Sequence, residues 1–411
     1  MIETKNTFDV ERIRQQFPIL NQEVNGRPLV YFDNAASSQK PLPVIEALKE
    51  YYTHYHSNIH RGIHHLAQIA TEQYENARTI VKEHITASAR EEVIFTYGTT
   101  DGINLVSNTW GRQNIQKGDL ILISAMEHHS NMVPWQMLAE DKGAEIKVIP
   151  MDDQGILKQD DYQDLLSLKP KLVAVNHVSN TLGTINPIKE MIQLAHAVGA
   201  KVLIDGAQSI PHLEVDMQDL DCDFYAFSGH KAYGPTGTGI LYGKRALLEE
   251  MPPWRGGGEM ISSVSYERST YNELPYKFEA GTPNIADTIA LGVALKWMQG
   301  VGVNAIAQHE HRLTEYATNK MKEIPGMRFI GESPEKAGVI SFLVGKIHPY
   351  DLGTLLDKMG VAVRTGHHCT EPLMNALEIP GTVRASFACY NTFHEVDRFL
   401  VALERATEML S

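Results

Sequence analysis

Short runs of apolar residues, typical of buried strands, recur through the middle of the chain. Seven runs are predicted to be strands, and they are Glu92–Thr96, Leu120–Ser124, Glu145–Pro150, Leu172–Val175, Lys201–Asp205, Phe224–Ser228 and Gly239–Gly243. Helical patterns separate several of them, and the clearest has an apolar stripe from Ile188 to Ala195. We expect Asn186 to cap that helix, with Pro187 at its first position and Gly199 at its end. Strands that alternate with helices predict an α/β domain with a mostly parallel sheet.

The pattern changes beyond about residue 300, where long helical patterns flank shorter strands. The elements predicted in this part are the helices Ala305–Ile324 and Glu395–Leu410 and the strands Gly338–Leu343 and Val361–Arg364. We therefore predict a large α/β domain over residues 31–299. Residues 1–30 and 300–411 are predicted to form a smaller α+β domain.

The composition narrows the range of functions. The chain has 411 residues, of which 43% are hydrophobic and 21% charged, and its formal net charge is −13. An acidic chain without a basic cluster argues against nucleic-acid binding. Three cysteines are too few for a disulfide framework, and neither a signal peptide nor an apolar run long enough for a bilayer is visible. We expect a cytosolic protein that binds neither nucleic acid nor membrane.

Two polar residues are predicted to lie at the carboxyl edge of the sheet, where ligands bind in open α/β folds. Lys231 follows the strand Phe224–Ser228, and Asp205 ends the strand Lys201–Asp205. A lysine in this place can bind an aldehyde cofactor, although alone it reads more simply as a surface lysine. Asp205 strengthens the hypothesis, because pyridoxal phosphate needs an acid opposite its ring nitrogen. Gln208, three residues later, can reach the phenolic oxygen of that cofactor.

A phosphate site is predicted at Gly98-Thr99-Thr100, between a strand and a helix that starts near Asp101. Backbone amides at a helix N-terminus bind phosphate, although threonine is also an ordinary N-cap. The carboxylate of Asp101 should face away from a bound phosphate. The glycine-rich run from Gly234 to Gly239 has the wrong spacing for a dinucleotide fingerprint and is interpreted as a turn.

These motifs together resemble class V of the fold type I pyridoxal-phosphate enzymes. The resemblance rests on His230-Lys231 followed by Gly234-Pro235-Thr236-Gly237, on Asp205-Gly206-Ala207-Gln208 and on the Thr99-Thr100 turn. It extends from Tyr31-Phe32-Asp33-Asn34-Ala35-Ala36 to Arg384-Ala385-Ser386. The implied fold is a large domain with a mostly parallel sheet and a smaller α+β domain, and the implied cofactor is pyridoxal 5'-phosphate.

The resemblance implies a role for each matching residue. Lys231 would bind the cofactor, Asp205 would pair with its ring nitrogen and Gln208 with its phenolic oxygen. The phosphate would be held by Thr100, Ser228 and His230. Thr282, in Phe278-Glu279-Ala280-Gly281-Thr282-Pro283, resembles the residue that reaches the phosphate of the neighbouring subunit, which implies a homodimer.

Cys369 selects among the reactions of this fold. It lies in Arg364-Thr365-Gly366-His367-His368-Cys369, where polar neighbours can favour its thiolate. Cys222 and Cys389 lie in apolar contexts and are interpreted as small buried hydrophobic residues. The polar, glycine-containing context makes a purely structural role a poor explanation for Cys369.

The cysteine segment resembles the short active-site loop of group II cysteine desulfurases, the SufS type. The Glu127-His128-His129 run, Met251-Pro252-Pro253-Trp254 and the Pro372-Leu373-Met374 that follow the cysteine fit that group, whereas Thr370-Glu371 are less diagnostic. In such enzymes L-cysteine gives alanine, and its sulfur passes to the enzyme cysteine as a persulfide. The persulfide then goes to a SufE-like or SufU-like acceptor protein for iron–sulfur cluster assembly.

The SufS resemblance also implies which residues act on L-cysteine. Lys231 would remove the α-proton, and His128 would stack on the cofactor ring as an acid/base group. Arg384, Arg364 and Asn180 would bind the substrate. A further matching segment, His60-Arg61-Gly62-Ile63-His64, is predicted either to line the entrance of the active site or to form a salt-bridged surface run.

Other functions stay open at this level. A selenocysteine lyase, or an enzyme acting on cysteine sulfinate, would share these motifs. A class V aminotransferase would release a keto acid, and Cys369 would then be incidental. An inactive scaffold has no support from the residue types. Residues suited to zinc are also present, namely His128, His129, His367, His368 and Cys369. A zinc site would leave Lys231 and Asp205 unexplained, so we predict no metal.

Overall fold

The computed structural model describes residues 8–411 and contains a central seven-stranded sheet. From one edge to the other its strands are Val93–Thr96, Gly239–Gly243, Phe224–Ser228, Lys201–Asp205, Leu172–Asn176, Leu120–Ser124 and Glu145–Ile149. All neighbours pair in parallel except Gly239–Gly243, which is antiparallel to both of its neighbours. The α/β fold with a mostly parallel sheet is thus confirmed.

Both faces of this sheet are buried except at the edge strand Glu145–Ile149, which explains why the inner strands are mainly apolar. Successive residues of a strand point to opposite faces. Accordingly, Leu122 belongs to one buried cluster, and Ile121 and Ile123 belong to another. The sheet therefore forms a rigid middle layer that fixes where the ends of its strands lie.

Helices cover the two faces and the smaller domain. Their bounds are Val10–Arg14, Leu42–Glu50, His65–His84, Thr99–Val106, Arg112–Asn114, Val133–Lys142, Gln159–Ser167, Ile188–Ala197, Met217–Leu220, Arg245–Glu250, Ile285–Val301, Val303–Met321, Pro349–Lys358, Glu371–Ala376 and Phe393–Leu410. No single helix among residues 8–411 has the length and apolar character to cross a membrane. The pair Ile285–Val301 and Val303–Met321, bent by 74°, passes that test only when taken together.

The smaller domain contains a four-stranded antiparallel sheet. In order its strands are Met327–Ile330, Val339–Val344, Thr382–Ser386 and Arg364–Gly366. The prediction of one strand over Val361–Arg364 is wrong, because the chain changes partner there. Val361–Ala362 instead pairs in parallel with Val30–Tyr31. The two strands look like one continuous strand in the sequence because both are short and only Val363 separates them.

The segment before residue 30 contacts the large domain as well as the smaller one. Phe17 is buried and packs edge-on against Trp297 and Tyr233. On the other side, Asn25 Nδ2 donates a 2.8 Å hydrogen bond to the carbonyl oxygen of Asp357, in the smaller domain. The segment therefore bridges both units. The division into 31–299 and the remainder stays a prediction.

The predicted cap of the helix Ile188–Ala197 is wrong. Asn186 is buried, and its side-chain amide donates hydrogen bonds of 2.9 Å and 2.8 Å to the carbonyl and side-chain oxygens of Asn176. Pro187 occupies the cap position, and no side chain caps this helix end. Asparagine is a good capping residue, but Asn186 instead bonds to Asn176, at the end of the strand Leu172–Asn176.

Candidate active site

The carboxyl ends of the parallel strands open into a cavity of about 280 Å³. Asp205 and Ser228, the last residues of two neighbouring strands, line it, and so do loops of the smaller domain. The predicted site residues that line the cavity are Thr100, His128, Asn180, Asp205, Gln208, Ser228, His230, Lys231, Arg364, Cys369 and Arg384. The fold thus brings together residues as far apart in the chain as Thr100 and Arg384.

Lys231 and Asp205 form the chemical centre of the cavity. Lys231 ends a short 3-10 turn that directly follows the strand Phe224–Ser228. Burial lowers the pKa of Lys231 to about 8, although the nearby carboxylate of Asp205 raises it. Burial also raises the pKa of Asp205, whose Oδ1 accepts a 2.9 Å hydrogen bond from the backbone N–H of Ala207. The cavity therefore holds an amine that loses its proton more readily than an exposed lysine, together with a carboxyl group fixed by a hydrogen bond.

An anion site lies at one end of the cavity. The helix Thr99–Val106 begins after Gly98, whose φ is +134°, so the helix starts slightly earlier than predicted. The first amides of a helix have no partner within the helix and carry its positive dipole end. Ser228 Oγ accepts a 2.8 Å hydrogen bond from Thr99 N–H, and Thr100 is exposed to the cavity. These donors suit a phosphate group.

Two neighbouring predictions agree with this geometry. The carboxylate of Asp101 accepts hydrogen bonds from Tyr97 N–H at 3.0 Å and from Arg255 Nη2 at 2.5 Å. Its charge is therefore already neutralised at the helix start. The glycine-rich run from Gly234 to Gly239 forms a turn before the strand Gly239–Gly243.

His128 carries its proton on a defined nitrogen. The backbone N–H of Ser130 donates to His128 Nδ1 at 3.1 Å, so Nδ1 is an acceptor. Burial, together with the charges of Lys231, His129 and Arg384, lowers the pKa of His128 to about 3. A neutral imidazole whose Nδ1 accepts must carry its hydrogen on Nε2. The ring of His128 therefore presents an N–H donor rather than a free base.

His230 is neutral near pH 7, and Gln208 is hydrogen-bonded to the protein. Burial, aided by the positive charges of Lys231 and Lys40, lowers the pKa of His230 to about 4, so its ring is neutral near pH 7. Gln208 Nε2 donates a 2.6 Å hydrogen bond to the carbonyl oxygen of Ala35. Each side chain retains polar atoms for a ligand. Their predicted contacts with phosphate and phenolic oxygen stay predictions.

Two arginines that line the cavity share hydrogen bonds with one aspartate. Arg384 is buried, and its Nη1 donates to the carbonyl oxygen of Asn180 at 3.0 Å. Asp33 accepts hydrogen bonds from Arg364 Nη2 at 2.7 Å and from Arg384 Nη2 at 3.4 Å. Within residues 8–411, Arg384 Nε is buried without a hydrogen-bond partner. Burial lowers the pKa of Arg384 to about 10, so it stays charged at neutral pH. The pair keeps one excess positive charge, which matches a single carboxylate.

Cys369 lies exposed at the mouth of the cavity on a short loop. His368 and Cys369 both have left-handed backbone conformations, with φ of +53° and +57°. For residues other than glycine this conformation costs about 1–2 kcal/mol each. The loop is held against the large domain, because Asn180 Nδ2 donates to His368 O and His129 N–H donates to Cys369 O, both at 2.8 Å. The cysteine therefore has a fixed backbone and a free thiol.

Sequence reasoning missed three residues that support this site. Asp33 lies in a motif that carried the resemblance but received no role. Lys40 Nζ donates to the carbonyl oxygen of His230 at 2.9 Å, directly before the predicted cofactor lysine. Glu127 is buried beside His128 and accepts from Asn176 N–H at 2.9 Å. A carboxylate directly after the apolar residues Ala125 and Met126 is the signal that could have indicated Glu127.

The structure places two other predicted segments outside the cavity. Thr282 is exposed and does not line the cavity of its own chain, so its role across a subunit boundary stays a prediction. In the segment from His60 to His64, His60 Nε2 lies 3.1 Å from Glu75 Oε1, and Arg61 Nε lies 2.9 Å from Glu259 Oε1. This geometry favours the salt-bridged surface run over the active-site entrance.

The geometry does not favour a zinc site. His129 Nε2 accepts from Glu371 N–H at 3.2 Å, and His368 Nε2 lies 2.8 Å from Thr382 Oγ1. The described part of the chain has no group of three or more histidine, cysteine, aspartate or glutamate side chains placed to share a metal ion. The adjacent histidines serve hydrogen bonds that hold the cysteine loop.

Comparison with known proteins identifies the class. Residues 30–399 match the family Aminotransferase class-V. The chain therefore belongs to the class V aminotransferase family, whose members are pyridoxal-phosphate-dependent enzymes.

Within that family the similar proteins are cysteine desulfurases. One from Escherichia coli O127:H6 is 53% identical over 98% of this chain and 100% of the relative. One from Synechococcus elongatus is 51% identical over 97% of this chain, which spans only 64% of that relative's length. The chain is thus an enzyme homologous to cysteine desulfurases.

Solved structures agree with the fold and class. The apo structure of a cysteine desulfurase from Thermococcus onnurineus NA1 has a TM-score of 0.93 and 40% identity, covering 97% of this chain and 98% of that one. The cysteine desulfurase CsdA from Escherichia coli has a TM-score of 0.92 and 39% identity, covering 99% and 100%.

The residues present fit the cofactor used by this family. Lys231 supplies an amine whose pKa is lowered by burial, and Asp205 supplies an acid for the ring nitrogen. The helix start at Thr100 and the hydroxyl of Ser228 supply donors for a phosphate. The unpartnered Nε of Arg384 is left for a further anionic group, such as a substrate carboxylate.

Proposed function

We propose that the chain is a SufS-type cysteine desulfurase that converts L-cysteine to L-alanine and receives the sulfur on Cys369 as a persulfide. The observation that carries the proposal is the placement of an exposed cysteine, on a short anchored loop, at the mouth of the cavity that contains Lys231 and Asp205. An ordinary aminotransferase has no use for such a thiol. The cavity therefore supports sulfur transfer better than transamination.

The residues that would hold pyridoxal 5'-phosphate come from two strand ends, the turns that follow them and a helix start nearby. Lys231 would bind its aldehyde carbon, and Asp205 would pair with its ring nitrogen. Gln208 would contact its phenolic oxygen. Thr100, Ser228 and His230 would hold its phosphate, and Thr282 would reach the phosphate bound by the partner subunit of a homodimer. When bound, the cofactor supplies an electron sink for the bonds around the α-carbon of the substrate.

The substrate would be oriented by its carboxylate. Arg384 and Arg364 both reach the cavity, and a guanidinium group can donate two parallel hydrogen bonds to a carboxylate. Asn180 lines the same wall and connects the arginine to the cysteine loop, because its carbonyl accepts from Arg384 and its amide donates to His368 O. Binding of L-cysteine would thus place its sulfur towards Cys369.

Proton transfer would fall to Lys231 and His128. The amine of Lys231 is the base for the α-proton, because burial keeps its pKa near 8. His128 Nε2–H lies in the cavity as a hydrogen-bond donor, because Nδ1 is occupied by the N–H of Ser130. This arrangement allows His128 to stabilise an anionic oxygen or sulfur without first becoming charged.

The sulfur transfer is balanced in atoms and electrons. The thiolate of Cys369 attacks the substrate sulfur, so that an S–S bond forms and the Cβ–S bond breaks. The electron pair of the broken bond stays with the carbon, which gains a proton and becomes the methyl group of alanine. The net reaction converts L-cysteine and one enzyme thiol to L-alanine and one enzyme persulfide.

A reactive persulfide needs an acceptor. We propose that a SufE-like or SufU-like protein takes the sulfur from Cys369 for iron–sulfur cluster assembly in the cytoplasm. The exposure of Cys369 supports this step, because a partner thiol must reach the terminal sulfur. If neither acceptor protein increases the turnover rate of the purified enzyme, this part of the proposal is contradicted.

The proposed reaction is tested by replacing the cysteine with serine. Cys369→Ser should retain bound cofactor and lose the persulfide, because serine cannot accept sulfur. Peptide mass spectrometry after a single turnover with L-cysteine measures the persulfide directly. Cys222 and Cys389 are buried and serve as internal controls that should stay unmodified. A persulfide of unchanged amount in Cys369→Ser would refute the assignment.

The selenocysteine alternative is separated by the same variant. Elimination of selenium does not require a protein thiol, so Cys369→Ser would keep most of its activity on selenocysteine while losing activity on cysteine. Wild-type enzyme that releases a keto acid instead of alanine would indicate a transaminase. Each outcome is read from the amino-acid product by chromatography.

A further inference from the structure

We propose that Thr181 and Thr370 are positioning residues for sulfur transfer. The inference rests on the proposed function, since it concerns how the Cys369 thiol is held for attack on the substrate sulfur. Thr181 lies in the large domain and Thr370 in the cysteine loop, and their hydroxyl oxygens are 2.9 Å apart. Both residues are completely buried, so this contact is shielded from water.

The direction of this hydrogen bond follows from its neighbours. The hydroxyl of Thr370 donates to the carbonyl oxygen of His367 at 2.8 Å, and the backbone N–H of Thr370 donates to the same oxygen at 2.9 Å. A hydroxyl has one hydrogen, so Thr370 Oγ1 is left as the acceptor for the hydroxyl of Thr181. Two consecutive hydrogen bonds therefore run from Thr181 to Thr370 and from Thr370 to His367, and they connect the large domain to the turn that contains Cys369.

Thr181 is itself firmly placed. Its carbonyl oxygen accepts a 2.6 Å hydrogen bond from Ser341 Oγ, on the central strand Val339–Val344 of the smaller domain. The residue before it, Asn180, donates to His368 O. Thr181 therefore acts from a point that is fixed by both domains.

The hydroxyl pair completes a row of anchors. His368, Cys369 and Thr370 are each bound once to the large domain, through Asn180, His129 and Thr181 respectively. The two residues in left-handed conformation are the first two of this row. Their unfavourable conformation persists only if contacts on both sides hold it. Of the three anchors, the contact with Thr370 is the one between two side chains.

The consequence concerns one step of the reaction. Attack on sulfur requires the thiol to lie in line with the bond that breaks, and small displacements of a reacting group can cost about 100-fold in rate. Removal of the α-proton uses Lys231, which follows the strand Phe224–Ser228 and is not part of the loop. Loss of the hydroxyl pair should therefore slow sulfur transfer selectively.

The test replaces each hydroxyl with a group of similar shape. Thr181→Val and Thr370→Val remove one hydroxyl each, whereas Thr370→Ser keeps it as a matched control. We expect persulfide formation on Cys369 in a single turnover to slow by roughly tenfold or more in both valine variants. Exchange of the α-hydrogen of L-alanine in heavy water should stay within about twofold, since it depends on Lys231. Thr370→Ser should restore sulfur transfer to within about threefold of wild type.

A second readout does not depend on catalysis. Hydrogen exchange of the peptide that contains the Thr370 amide should become at least about threefold faster in the valine variants, because the turn loses its outer support. The double variant should be no slower in sulfur transfer than Thr370→Val, since that substitution already removes the shared bond. If Thr370→Val does not fold, Thr181→Val carries the same test from the other side.

The outcomes separate this inference from the proposed function. Sulfur transfer at the wild-type rate in folded Thr181→Val would overturn the positioning role, as would equal slowing of α-hydrogen exchange and sulfur transfer. A persulfide that persists in Cys369→Ser would instead overturn the proposed function. Slow sulfur transfer in the valine variants, with α-hydrogen exchange preserved and a faster exchange of the loop amide, supports the inference.

Discussion

The two walls of the cavity are built in different ways. The wall that would hold the cofactor consists of strand ends and a helix start, and its side chains Asp205 and Ser228 are buried. The wall that presents Cys369 is a short loop with two left-handed residues, held by single hydrogen bonds to Asn180, His129 and Thr181. One wall obtains its geometry from regular backbone structure, and the other obtains it from specific side chains.

This difference suits the two tasks of a desulfurase. A cofactor and its proton acceptor need a fixed environment with controlled pKa values, which a buried sheet edge supplies. A cysteine that passes sulfur to another protein must be exposed, so it cannot be surrounded by the core. Precise placement of an exposed group then depends on anchors behind it.

The strongest loss of activity is expected from a substitution in the wall that would hold the cofactor. Lys231→Ala should lower the rate of alanine formation by roughly 10²–10⁴-fold, because the base for the α-proton is lost. The visible absorbance of lysine-bound cofactor should also disappear after dialysis, whereas Cys369→Ser should keep it. Lys49→Ala, at an exposed position, is the matched control and should change neither property. Full activity of Lys231→Ala would contradict the assignment of the base.

The next effect concerns the arginines that lie between the two walls. Arg384→Lys should raise the KM for L-cysteine by about 10- to 100-fold, because an ammonium group cannot donate two parallel hydrogen bonds to a carboxylate. Arg364→Lys should have a smaller effect, since Arg364 is half exposed whereas Arg384 is buried. Steady-state kinetics measure both, and melting temperatures identify any loss of folding. A larger effect at Arg364 would show that the buried residue is structural.

The mildest change is expected from the ionisation of Lys231 with pH. The pKa of Lys231 is lowered to about 8, so its neutral amine becomes more abundant as the pH rises through that value. The rate at which the cofactor-free protein binds pyridoxal phosphate should rise about tenfold per pH unit below pH 8 and level off above it. Stopped-flow absorbance measures this profile.

A variant of the neighbouring acid provides the control for that profile. The charge of Asp205 raises the pKa of Lys231, so Asp205→Asn should move the midpoint to lower pH. An unchanged midpoint would mean that the profile reports another group.

The fold was predictable where local pattern and burial agree. The strands Leu120–Ser124, Lys201–Asp205 and Phe224–Ser228 are found at their predicted bounds, because a strand covered on both faces is apolar throughout. The prediction failed where a tertiary contact outweighed local preference. Asn186 bonds to a strand end instead of capping a helix, and Val361–Arg364 divides between two sheets.

The candidate site was predictable where a residue type is rare in its context. A lysine and an aspartate after apolar strands, and a cysteine among histidines and glycine, stand out in the sequence. Asp33, Lys40 and Thr181 do not stand out, since aspartate, lysine and threonine are common in loops. Their importance comes from partners about 190 to 350 positions away, which no local pattern contains.

The sequence by itself determined the α/β class, the family resemblance and the residues able to carry the chemistry, because periodicity and residue type are local properties. Only the three-dimensional fold explains why the ring of His128 is neutral, how Asp33 divides its charge between two arginines and how the cysteine loop is anchored. These features depend on distances of about 3 Å between residues that the fold brings together, and on burial that shifts their pKa values.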